Sequence, residues 1–176
     1  MVFVINGYLG AGKDTFVELV KTVMDKLQTA EKKEVINIST IDYLKDIFMK
    51  EFGWDGKKTQ QVRAALSLVH NGLLVWDDIP FKKTCEKVEQ HSKDIVFIHC
   101  REPKNIKKYV DKFNALTIFV DNLEAKKAVL YNKKVYSTSD LEVEDYKYDI
   151  IIDNNGTFED LEHQAEMFII EQIFGI

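Results

Sequence analysis

Nine residues near the start of the chain, Gly7-Tyr8-Leu9-Gly10-Ala11-Gly12-Lys13-Asp14-Thr15, bring three glycines, a lysine, an acid and a hydroxyl into one run. Gly7, Gly12 and Lys13 fit G-x-x-x-x-G-K, the Walker A pattern of a P-loop. Glycines let the backbone turn tightly enough for successive N–H groups to point inward at a phosphate. A helix starting there adds its partial positive charge, and the lysine reaches the β- and γ-phosphates of a nucleotide. Gly7, Leu9, Gly10, Ala11, Gly12 and Lys13 are therefore the candidate cradle for the phosphates of ATP. A glycine-rich turn without function is the competing reading, and it explains neither the lysine nor the flanking elements.

Asp14 stands where such loops usually carry the Ser or Thr that touches Mg²⁺, and Thr15 follows one place later. Two readings stand. Asp14, with Thr15, holds Mg²⁺, through water on the side of the acid, or Asp14 is a first-turn helix acid favoured by the macrodipole. Asp42 is a candidate for orienting a second substrate or assisting the metal, against a capping role after Ser39-Thr40. Of 24 basic residues only Arg63 and Arg101 are arginines. In a chain that otherwise uses lysine, they mark positions where a planar, bidentate donor does what an ammonium cannot, unless they are ordinary surface arginines. Asp77-Asp78 reads as an acidic cap before a helix begun by Pro80 or as a catalytic pair, Trp54 and Tyr43 as core aromatics or a stacking platform, and Asn154-Asn155-Gly156 as a tight turn. His99 falls at the end of a strand, where α/β proteins bind ligands, although a lone histidine is also a common structural residue.

These residues need a scaffold, and the apolar pattern supplies one. Val2 to Ile5 is a short apolar run, the signature of a buried parallel strand. From Asp14 the period turns helical, with Phe16, Leu19, Val20, Val23, Met24 and Leu27 on one face. Val35 to Ile38 predicts a second strand, and Tyr43, Leu44, Ile47, Phe48 and Phe52 a buried helical stripe closed by Gly53. Lys57 to His70 and Pro80 to His91 predict two helices, Asp94 to Ile98 a strand, and Pro103 to Phe113 a helix. Leu116 to Val120 and Tyr148 to Ile152 predict the last strands, and Thr157 to Phe174 a closing helix with Thr157 and Asp160 as a capping box. Alternating strands and helices predict a three-layer α/β/α fold of the P-loop NTPase type, with about five parallel strands. The expectation is one domain over 1–176, with the polar, lysine-bearing stretch 121–147 as a candidate lid.

Composition narrows the partners. A net charge of −5 with dispersed lysines disfavours a nucleic-acid polymer as partner, which needs a concentrated basic face. Cys85 and Cys100 carry no metal-ligand spacing and read as two buried thiols in a reducing compartment. The apolar start is too short for a signal peptide, and no run approaches the ~20 apolar residues of a membrane span, so a cytoplasmic protein without a membrane partner is expected.

The Gly-Lys-Asp-Thr variant resembles the phosphate loop of the phage-type deoxynucleoside monophosphate kinases and their phosphomevalonate and dephospho-coenzyme A kinase relatives. Further segments look similar in the same order: Ile41 to Lys45, Phe52 to Thr59 with Arg63, Arg101-Glu102-Pro103, and Tyr148 to Gly156. The resemblance spans nearly the whole chain. It implies ATP-dependent phosphoryl transfer to a small phosphorylated acceptor, first a nucleoside monophosphate, with Mg²⁺ as cofactor. It further implies that Arg101 and Arg63 grip the acceptor phosphate and that Asn154, Asn155 and Gly156 cradle the adenine. The chain departs from that pattern at His99, where an Asp is usual, at Asn105, where an acid is common, and in a lid without arginine, whose cations include Lys126, Lys127, Lys133 and Lys134. A kinase for another small metabolite and a non-catalytic ATP-binding regulator are the alternatives. A GTP switch is disfavoured, because Asn132-Lys133-Lys134-Val135 lacks the acid that reads guanine.

Overall fold

A computed structural model describes residues 1–27, 33–57, 59–132 and 141–176. The chain runs β1 (Val2–Asn6), α1 (Lys13–Lys26), β2 (Val35–Ser39), α2 (Asp42–Phe52), α3 (Gln60–Asp77), α4 (Ile79–Gln90), β3 (Ile95–His99), α5 (Pro103–Phe113), β4 (Leu116–Asp121), α6 (Leu123–Asn132), β5 (Ile150–Asp153) and α7 (Phe158–Phe168), which continues as a π-helical turn over Ile169–Ile173. The strands form one parallel sheet of five in the order β2-β3-β1-β4-β5, with helices on both sides. The expected three-layer α/β architecture is the observed one.

Strand alternation explains the two faces. Phe3 and Ile5, Ile95 and Phe97, and Ile118 and Val120 join Phe16 and Val20 of α1 and Leu161, Ala165 and Phe168 of α7 in one buried cluster. Phe168 lies 5.0 Å from Phe3 and 5.4 Å from Phe16 between ring centroids, fastening α7 across β1 and α1. The alternate residues Val4, Val96 and Ile98 are equally buried and lie outside that cluster, while α5 buries Ile106 and Tyr109 and packs against β1 and β4. Cys85 and Cys100 are buried free thiols, as expected.

The chain divides into two compact units, one of Met1–Asn37 with Lys93–Ile176 and one of Ile38–Ser92. The second unit departs most from expectation. Helix α3 does not stop at His70 but runs on to Asp77, because Leu73 and Leu74 keep the inward spacing set by buried Leu66 and His70. Of the α2 stripe only Leu44 is buried; Ile47 and Phe52 are exposed. Gly53 closes α2 in the left-handed conformation, as anticipated. Inside the lid candidate the structure has a ten-residue helix, α6, that the polar composition hid. Its inner face is Ala125 and Val129, and Asn122 Oδ1 caps it by accepting the Ala125 N–H at 2.8 Å. No helix among the described residues is long and apolar enough to cross a membrane.

Candidate active site

The carboxyl ends of the parallel strands gather at one edge of the sheet, with Asn6 closing β1, His99 β3, Asp121 β4 and Asp153 β5. The chain crosses from β1 towards β2 on one side and from β3 to β4 on the other, so this edge holds the topological switch point where open α/β sheets bind ligands. The glycine-rich loop fills it, leaving β1 and entering α1 at Lys13.

Side-chain geometry of the loop follows from its glycines. Gly10 and Gly12 adopt φ of +86° and +91°, and Gly12 is the N-cap of α1. The Lys13 ammonium folds back and donates to the carbonyls of Gly7 at 2.7 Å and Tyr8 at 2.8 Å. Ala11 N–H donates to the Tyr8 carbonyl at 3.0 Å, closing a turn inside the loop. Asn154 Nδ2 donates to the Ala11 carbonyl at 2.8 Å from outside. The Asn154 amide thus supports the loop backbone.

Asn6, the last residue of β1, organises the entry to the loop. It is fully buried, accepts the Gly7 N–H at 2.8 Å, and donates to the Arg101 carbonyl at 3.1 Å and the Tyr148 hydroxyl at 2.6 Å. The Tyr148 hydroxyl in turn donates to the Val143 carbonyl at 2.7 Å. Burial holds that phenol well above its ordinary range, so it acts as a neutral donor and acceptor. One amide therefore ties together the glycine-rich loop, the backbone of Arg101 after β3, and the strand-side end of the lid candidate.

Asp14 is exposed in the first turn of α1. Its carboxylate accepts from Asn37 Nδ2 at 3.3 Å and lies 3.6 Å from His99 Nε2, whose side chain is largely buried. Thr15 beside it is exposed. Among the described residues no three His, Cys, Asp or Glu side chains converge into a metal cage. An exposed carboxylate suits Mg²⁺, which keeps several waters and needs only one or two protein carboxylates.

Asn155 and Gly156 shape the turn between β5 and α7. Asn155 donates to Asp153 Oδ1 at 2.6 Å and accepts the Leu123 N–H at 2.7 Å. A Cβ at Gly156 would run into Asp160 Oδ2, half of the capping box with Thr157 that starts α7. In the lid candidate, Lys126 binds both Glu144 oxygens at 2.7 and 2.9 Å and sits 6.0 Å from the Tyr8 ring centroid. Lys127 pairs with Glu124, while Lys133 and Lys134 lie outside the described residues.

Arg63 and Asp42 belong to the second unit. Arg63 is half-buried on the first turns of α3, whose N-cap Thr59 accepts the Val62 N–H. Asp42 opens α2: its carboxylate accepts the Ser39 N–H at 2.9 Å and pairs with Lys45 at 2.8 Å and Lys87 at 3.3 Å. Burial pushes that carboxyl up, but Lys45, the Ser39 N–H and Lys87 outweigh it and leave it below the usual range. Nearby, the Tyr43 hydroxyl is buried without a hydrogen-bond partner among the described residues, and burial pushes it up to about 12. The Trp54 indole donates to the Lys57 carbonyl at 2.9 Å.

No family model matches the chain, and no curated protein is similar to it in sequence. Solved structures match it in fold. Shikimate kinase from Aquifex aeolicus aligns over 100% of both chains at 14% identity and a TM-score of 0.54. An uncharacterized protein from Eubacterium ventriosum aligns over 100% of this chain and 99% of its own at 16% identity and a TM-score of 0.52. The APS kinase CysC of Mycobacterium tuberculosis, solved with AMPPNP and APS, aligns over 96% and 95% at 10% identity and a TM-score of 0.48. The chain shares the fold of that shikimate kinase structure: a three-layer α/β/α sandwich about a five-stranded parallel sheet.

Proposed function

We propose that the protein is an ATP-dependent kinase that transfers the γ-phosphoryl group to a small phosphorylated acceptor, a nucleoside or deoxynucleoside monophosphate, giving the diphosphate. The reading rests on the glycine-rich loop at the switch point of the sheet, with Lys13 folded over its carbonyls. Backbone amides of Leu9, Gly10, Gly12 and Lys13, with Gly7 turning the chain and the Ala11 N–H closing the inner turn on the Tyr8 carbonyl, bind the ATP phosphates, and the Lys13 ammonium spans to the γ-phosphate. Asn154, Asn155 and Gly156 build the turn on the adenine side. Asp14 and Thr15 hold Mg²⁺, which supplies charge neutralisation on the transferring phosphates.

Arg101 and Arg63 grip the acceptor phosphate, and Asp42 orients the acceptor through the lysines that flank it. A phosphate acceptor is already ionised at neutral pH, so the protein needs no strong base; positioning and neutralisation carry the rate. The chain acts as one catalytic domain over 1–176 in the cytoplasm, and 121–147 closes over the transferring group, with Lys126 exchanging Glu144 for phosphate.

The test is ADP release from Mg-ATP against all common nucleoside and deoxynucleoside monophosphates, with phosphomevalonate, dephospho-coenzyme A and shikimate in the same panel. Turnover on one nucleotide well above the ATPase background, abolished in Lys13→Ala, is the expected result. Turnover on a non-nucleotide would reassign the acceptor. ATP binding without turnover anywhere would make the protein a nucleotide-binding regulator.

A further inference from the structure

Helix α3 is an anomaly on the surface of a chain that is 30% charged. Over its 18 residues it carries only Arg63 and Asp77 as charged side chains. Its outward face from Gln61 to Trp76 reads Gln61, Ala64, Leu68, Asn71, Gly72, Val75 and Trp76, all exposed and none charged. Leu68 is 73% exposed, Val75 88% and Trp76 76%, with Val69 at 40% on the margin. An amphipathic surface helix carries its polar residues on that side; here the inner and outer faces are both apolar. Depletion of charge around an aromatic anchor is the composition of the centre of a protein interface.

We propose that this face of α3 is the interface of a homodimer, two copies of the helix packing antiparallel across a two-fold axis beside His70. The spacing of large and small residues is self-complementary about that point. In an antiparallel pair centred there, Trp76 meets Ala64 of the second copy, Leu68 meets Gly72, and Val75 meets Ala65. Leu68, Val75 and Trp76 each face a small residue while Val69, on the margin, faces Asn71, and the reciprocal contacts repeat by symmetry. Gly72 has nothing within 4 Å of where its Cβ would stand, so its gap is open to receive a leucine from outside.

The area fits as well. Leu68, Val69, Val75 and Trp76 expose roughly 400 Å² of apolar side-chain surface per copy. With the Ala64, Asn71 and Gly72 surface between them, two copies bury on the order of 1,200 Å² in total, the lower end of specific protein interfaces. A lipid surface suits this face poorly. Interfacial helices flank their apolar face with Lys and Arg, whereas α3 has no lysine and runs into Asp77 and Asp78.

Sedimentation velocity of the full chain from 1 to 100 µM, loading concentrations of about the usual range for micromolar dimers, tests the interface. The wild type is expected to dimerise within that range, and Leu68→Glu with Val75→Glu to raise the dimer Kd at least about 100-fold while circular dichroism is unchanged. Gly72→Leu separates docking from stickiness. It adds apolar surface and helix propensity, so the monomer melts at a higher temperature, yet it fills the gap opposite Leu68 and is expected to weaken the dimer by about tenfold or more. A wild type that stays monomeric throughout overturns the proposal, whether or not it then floats with lipid vesicles. So does a dimer indifferent to the double glutamate variant, or one strengthened by Gly72→Leu.

Discussion

Replacing Asn6 by alanine should damage this protein more than the loss of any single loop contact. The Asn6 amide makes three hydrogen bonds in a fully buried position: from Gly7 N–H, to the Arg101 carbonyl and to the Tyr148 hydroxyl. A neutral hydrogen bond contributes about 1 kcal/mol net, but a buried donor left without an acceptor costs about 1–3 kcal/mol by itself. Asn6→Ala orphans the Gly7 N–H and removes a donor from the Arg101 carbonyl, while Tyr148 keeps Val143. The expected loss is therefore about 2–4 kcal/mol in urea unfolding at 25 °C, from the orphaned donor plus one or two lost bonds. Asn6→Asp sharpens the test. It keeps the acceptor for Gly7 N–H but sets a carboxylate oxygen against the Arg101 carbonyl oxygen in a dry site. Desolvation raises the folded-state pKa of that carboxyl above its unfolded value near ~3.9, so stability is retained below the unfolded pKa and lost as pH rises through the folded one. Asn6→Asp should thus be closer to wild type at pH 4 than at pH 7. An Asn6→Ala variant within about 0.5 kcal/mol of wild type, less than one ordinary hydrogen bond, would refute the assignment. So would an Asn6→Asp variant whose deficit does not grow with pH.

Gly12→Ala meets both a φ of +91° and the Asn154 amide, whereas Gly10→Ala, at φ +86°, meets nothing within 4 Å. Denaturant unfolding should show about 1–2 kcal/mol lost at Gly10 from left-handed strain alone and more at Gly12, where Asn154 must also leave the Ala11 carbonyl. Asp42→Asn should be less stable than wild type at pH 7. Because the native carboxyl sits below its usual range, that contribution is present above ~3.9 and fades as pH falls through the folded value, so the two proteins converge in acid. Arg101→Lys keeps the charge but not the bidentate fork; acceptor KM should rise about 5- to 100-fold, the equivalent of 1–3 kcal/mol, with ATP binding unchanged, and a change under about twofold would dismiss the clamp.

The elements that the sequence declared plainly are those whose local chemistry agrees with their burial. β1 is apolar up to its last residue, Gly53 ends α2, and Thr157 with Asp160 opens α7; each carries its signal within a few residues. Helix α6 escaped because its buried face is only Ala125 and Val129, set among lysines and acids, although Asn122 is a legible N-cap. The end of α3 was misplaced because Asn71-Gly72 looks like a stop, and a glycine deep in a helix is tolerated when its neighbours keep the inward spacing. Asn6 and Tyr148 were illegible for a different reason. Their bond joins residues 142 positions apart, and nothing local marks a strand-end asparagine as buried and fully satisfied.

The loop supports share one geometric consequence. In a planar peptide the carbonyl and the following N–H point in opposite directions. Lys13 holds the carbonyls of Gly7 and Tyr8, and Asn154 holds that of Ala11. Fixing those three carbonyls fixes the N–H groups of Tyr8, Leu9 and Gly12 in the opposite sense. Asn6, on the Gly7 N–H, anchors the plane from which the series starts. With the proposed function, neutral amides suit this task at Asn6 and Asn154: an acid there would add a negative charge close to the nucleotide phosphates, and an extra lysine would compete for them. Pre-orienting donors before a ligand arrives lowers the ordering cost of binding, which is why the support of the loop, more than its glycines alone, should govern nucleotide affinity.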